Sequence, residues 1–139
     1  MKTVLVPGIS AGVVMLIASV LLMLVYPVIL PGVEAEYTGN PIFRSWSDPL
    51  MYYVYLNPII FGILLAFVWK YTKDNFKGSS KAKSGAKFGF SVWAIFGITG
   101  MLMSLSTFNI SALMVLTWTI NGLVQYILGG VVIASLSKN

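Results

Sequence analysis

Four apolar runs, none with a charge at its centre, take up most of this 139-residue chain. Each is long enough to cross a bilayer core of about 30 Å, which takes roughly 20 residues of helix. Hydrocarbon offers no partner to backbone amides and carbonyls, so a spanning segment must satisfy them internally, as a helix does. The expected fold class is therefore all-α, a four-helix transmembrane bundle. Composition agrees: 9% of residues are charged and mean hydropathy is +0.87, where a soluble domain carries about 25% charge.

The spans are expected at Val4–Tyr26, Pro49–Tyr71, Gly85–Thr107 and Ile110–Leu136. Pro7 fits a first helical turn, and Pro27 and Pro31 are expected to stop the first span. Asp48 is placed to cap the second, with Pro49 at its first position. The first apolar run is too long for the core of a signal peptide, and no small-x-small cleavage site follows it. It is expected to be a retained span. An outer loop over 27–48 and a lysine-rich loop over 72–84 complete a single membrane domain.

Charge sets the orientation. Lys70, Lys73, Lys77, Lys81, Lys83 and Lys87 fall between or at the ends of spans two and three, and Lys2 and Lys138 lie at the termini. With four spans these eight lysines share one side, with Asp74 as its only acid. The other side holds Arg44, Glu34, Glu36 and Asp48. The rule that short basic loops stay inside puts both termini and the lysine loop in the cytoplasm. The lysines thus report topology and contact with anionic lipid headgroups, not nucleic acid. The outer loop is expected to be ordered and packed over the helices.

The chain has no Cys and no His. Disulfides, thiolate chemistry, His-ligated zinc or haem and His-dependent triads are excluded. No cofactor, resident metal or catalytic residue is expected.

Three places hold chemistry worth weighing. In the outer loop, Arg44, Trp46 and Asp48 stand among aromatic residues, and Glu34, Glu36 and Asp48 supply oxygen ligands for a hard cation or an acid–base pair. Within the spans, Asn121 and Gln125 share one face of the fourth helix. Asn57 sits beside an expected kink at Pro58. Such amides cannot stay unpaired in hydrocarbon; they hydrogen-bond between helices or line a polar pocket. Met101, Met103 and Met114 are thioethers of the kind that hold Cu(I), but flexible packing is their ordinary use. Gly8 and Gly12, like Gly85 and Gly89, have the spacing that lets helix backbones approach closely, with Gly122, Gly129 and Ala134 as further small positions. Short connections make consecutive helices expected neighbours, and Asn109 suits a turn or a helix cap between spans three and four.

Ala35-Glu36-Tyr37, the string Asn40-Pro-Ile-Phe-Arg-Ser-Trp-Ser-Asp-Pro-Leu-Met51 and Trp118-Thr-Ile-Asn-Gly-Leu-Val-Gln125 resemble a group of small prokaryotic four-span membrane proteins of unknown function. The resemblance covers nearly the whole chain and implies architecture without an activity. Leu105-Ser-Thr-Phe-Asn109 is similar to a stretch of the small fluoride channels, but the first span lacks the Arg expected near its middle. It also lacks the embedded Glu of the small multidrug exporters, the kind of group that couples to protons.

The functional expectation is a non-enzymatic membrane protein that binds a lipid, a hydrophobic ligand or a membrane partner, with a homo-oligomer as one form of that partner. Asn57, Asn121, Gln125, Arg44, Trp46 and Asp48 are the candidate binding residues. A small channel with an amide-lined path is the first alternative. A membrane-surface enzyme or metal site built on the outer carboxylates is the second.

Overall fold

A computed structural model describes residues 2–137. Among them every regular element is a helix, with no strand: α1 (Lys2–Ile29), α2 (Pro31–Gly39), α3 (Tyr52–Thr72), α4 (Lys81–Thr107) and α5 (Ala112–Leu136). Single 3-10 turns at Pro49–Met51 and Lys73–Asn75 flank α3. Counting those turns with α3, four helices are long and apolar enough to cross a membrane. Only 11% to 22% of the most apolar stretch of each is buried inside the protein. Surface this apolar calls for hydrocarbon, not water, as its solvent.

Helix ends follow side-chain caps. Asp48 accepts from the Leu50 amide at 2.8 Å, Ser80 from Lys83 at 3.2 Å and Ser111 from Met114 at 3.1 Å. Each oxygen satisfies a first-turn amide that has no helical partner. Ser80 starts α4 four residues before the expected Gly85 and so carries Lys81 and Lys83 onto the helix. Ser111, not Asn109, caps α5. Pro27 does not stop α1, which runs on to Ile29; Pro31 then opens α2 at a first-turn position, where its missing amide costs nothing. The expected loop over 27–48 thus contains the end of one helix and the whole of another.

Packing does not follow chain order. The helices lie in the sequence α3, α1, α5, α4, with α1 between α3 and α5, and α4 on α5. Consecutive α3 and α4 meet at the lysine end, where Phe88 packs on Trp69 of α3 at 5.2 Å and on Phe76 of the connecting segment at 5.3 Å. Glycine decides who pairs. A Cβ on Gly8 would lie 2.7 Å from the Ile63 Cα, one on Gly12 would lie 2.6 Å from the Ile59 Cα, and one on Gly62 would strike the Gly8 carbonyl. The same happens between α4 and α5, where Gly85 faces the Gly130 carbonyl and Gly89 the Tyr126 carbonyl. Both crossings lie towards the lysine end. The core sits beside them: Ala11 and Met15 of α1, Leu65, Ala66 and Trp69 of α3, Phe88 of α4, and Ile133 and Ala134 of α5.

Gly89→Ala is expected to lower stability by about 1–3 kcal/mol, because the clash is with backbone that cannot rotate away. Gly100→Ala on the same helix, where a Cβ meets nothing within 4 Å, should change it by less than about 1 kcal/mol. Unfolding in mixed detergent micelles measures both; equal losses would remove the close-approach explanation.

Candidate functional site

Away from the glycine crossings, α1, α3 and α5 leave a cleft of about 320 Å³. That volume falls within the usual range of small-molecule pockets. Its floor is polar. The Asn121 amide donates to the Ser19 hydroxyl at 3.4 Å, joining α5 to α1, and the Gln125 amide donates to the Asn121 carbonyl oxygen at 2.9 Å. One turn of α5 separates the two amides, so they hold each other in place. Higher up, the Tyr26 hydroxyl donates to the Thr117 carbonyl at 3.2 Å, a second stitch between α1 and α5.

The walls are apolar: Met23 and Pro27 from α1, Val54 from α3, Met114 and Trp118 from α5. Val33 and Tyr37 of α2, with Phe43 and Trp46 after it, line the rest. Tyr37 stacks on Phe43 at 4.6 Å and on Trp46 at 5.6 Å, and Phe43 meets Trp118 edge-on at 6.0 Å. Two polar ties hold this segment against the turn between α4 and α5. The Asn40 amide donates to the Asn109 carbonyl at 3.2 Å, and the Glu36 carboxylate accepts from the Ser111 amide. Glu34 is exposed and brings the cleft its one carboxylate. Burial, and then the Glu34 charge, push the Tyr37 hydroxyl above its ordinary pKa.

Of the six residues singled out from the sequence, Asn121 and Trp46 line the cleft, and Gln125 adjoins it through Asn121. Arg44 and Asp48 do not line it. They pair with each other at 2.7 Å, and the second Asp48 oxygen caps the turn that starts α3. Asn57 is exposed on α3, one residue before the buried Pro58, and does not line the cleft. Ser19 and Thr117 belong to the site and were not singled out, and Glu34, weighed from the sequence only as a cation ligand or acid–base group, lines the cleft instead; Ser19 is one small hydroxyl in an apolar run and has no local signature.

The three outer carboxylates go to three different tasks: Glu36 to the α5 start, Asp48 to the α3 start, Glu34 to the cleft. Among the described residues no group of three or more His, Cys, Asp or Glu could hold a metal ion. Nor do the thioethers gather, since Met103 is 65% exposed while Met114 is fully buried.

The fold and site define an all-helical protein with four candidate membrane spans, tight at one end and cleft at the other. No protein family, curated protein or solved structure matches the chain, so chemistry alone carries the functional reading.

The Leu50 amide, and then Arg44, hold the Asp48 carboxyl below the usual carboxylate range. A depressed folded-state pKa gives stability that is present above the unfolded value and lost as pH falls through the folded one. Acidification below the ordinary carboxylate range should therefore loosen the α3 start first. Amide exchange at Leu50 and Met51 reads this, and Asp48→Asn should abolish the pH dependence.

Proposed function

We propose that this chain is a small integral membrane protein, with both termini and the lysine end cytoplasmic, that binds an amphiphile without transforming it. The carrying observation is the apolar, aromatic-lined cleft with Ser19 and Asn121 at its floor and Gln125 bonded behind Asn121. The apolar walls suit an acyl or other hydrocarbon tail. The polar floor and Glu34 suit a head that donates hydrogen bonds or carries positive charge. No ion pair to Glu34 occurs among the described residues, which leaves its carboxylate free for such a head.

The same hydrogen bonds weigh against the channel alternative, since Asn121 and Gln125 turn their amides on each other and on Ser19. The scattering of Glu34, Glu36 and Asp48 weighs against a metal site. The orientation rests on charge: eight lysines on one side against a single arginine on the other. The resemblance to small four-span membrane proteins fits this reading and adds no activity to it.

The test is a titration of the full chain in mild detergent with single-chain cationic, neutral and anionic amphiphiles of equal tail length, read by native mass spectrometry. Cationic or hydrogen-bond-donating heads should bind best. Trp46→Ala and Asn121→Leu should each weaken binding about tenfold, the equivalent of about 1.4 kcal/mol. Glu34→Gln should abolish the head-group preference. Affinity indifferent to all three substitutions would sink the proposal.

A further inference from the structure

At the opposite end of the molecule a second cavity, of about 620 Å³, lies between the end of α3, the start of α4 and the end of α5. Its wall combines Trp69, Phe76 and Ala134 with Lys73, Lys77 and Lys81. A basic loop beside membrane spans is what topology alone demands. Topology does not demand that three of the lysines converge on one cavity.

Three of the side chains lining this cavity are lysines, whose ammonium groups only donate. Trp69 is 6% exposed and gives this cavity ring wall, while its indole nitrogen is sealed inside the protein. Ser80 already accepts from the Lys83 amide, so its hydroxyl proton is left to give. Lys81 donates to the Ser137 carbonyl at 3.0 Å, and Lys87 donates to the Lys77 carbonyl at 3.1 Å, which pins the loop beside the α4 start. Neither Lys73 nor Lys77 has an acid partner among the described residues. Asp74 is the one acid in the lining. The first amides of the 27-residue α4 lie at the same place and carry the positive end of its dipole.

We infer that this cavity is a binding site for a phosphate ester. A phosphate supplies several acceptor oxygens and negative charge, the complement of a cavity rich in donors. Its position at the ends of three spans puts it at headgroup depth, and Trp69 and Phe76 offer apolar wall to the glycerol and upper chain of an anionic phospholipid. The lipid phosphate is thus the favoured source, and a free phosphate ester shares the chemistry. The inference is independent of the cleft at the other end.

The test compares two double variants of the full chain that remove equal charge. Lys73→Gln/Lys77→Gln strips the cavity. Lys70→Gln/Lys83→Gln strips lysines outside it. Binding of phosphatidylglycerol, with phosphatidylcholine as competitor, is followed by native mass spectrometry in mild detergent. The cavity pair should cost about thirtyfold in affinity, the worth of two lysines near a charged lipid surface; the outer pair should cost less than about twofold. Glycerol phosphate and inorganic phosphate form the soluble arm. Saturable binding there with the same lysine dependence would support the site and reassign its source. Equal losses from both lysine pairs, or none from the cavity pair, would overturn the proposal in favour of diffuse attraction.

Discussion

In hydrocarbon, one apolar helix face is as well solvated by lipid as by another helix, so association depends on how closely two backbones can come. This protein has two such approaches, Gly8 and Gly12 against the helix around Gly62, and Gly85 and Gly89 against Gly130 and Tyr126. They pair α1 with α3 and α4 with α5. The two pairs then meet along α1 and α5, where Met15 reaches Gly129 and the Asn121–Ser19 bond crosses. Because both crossings sit towards the lysine end, the helices are drawn together there. The other end stays open, and α2 with its following segment lies over the gap.

The two ends have opposite chemistry for the same reason. Where the helices converge, the short loop after α3 folds against the α4 start, and Lys73, Lys77 and Lys81 line one cavity. Where they separate, aromatic rings and one carboxylate line a cleft with an amide floor. Polar side chains elsewhere close helix ends: Asp48, Ser80 and Ser111 each take a first-turn amide. Arg44, the chain's only arginine, fixes the Asp48 carboxylate and has no part in the cleft.

Much of this was legible. Four spans, the Asp48 cap, the small-residue faces at Gly8/Gly12 and Gly85/Gly89, and the Asn121–Gln125 pairing all rest on short-range rules of hydropathy, capping and helical spacing. What escaped involved distant partners. Gly62 and Gly130 stand four residues before Ala66 and Ala134, but the facing helix that each one meets is fixed only in the fold. Asn57 and Asn121 look alike along the chain, yet one is exposed on α3 and the other is bonded across to α1. Pro27 looked like a stop but lies inside α1.

Local rules reach as far as one helix and its ends, which is why the number of helices, their apolar character and most of their caps could be read from the residues in order. They cannot say which helices touch. Neighbours in sequence, α3 and α4, share little more than an aromatic contact, while α1 and α5 pack along their lengths. That choice depends on the match between small-residue faces on different helices, a property of pairs and not of segments. The cleft, the donor-rich cavity and the separate fates of Glu34, Glu36 and Asp48 all follow from it.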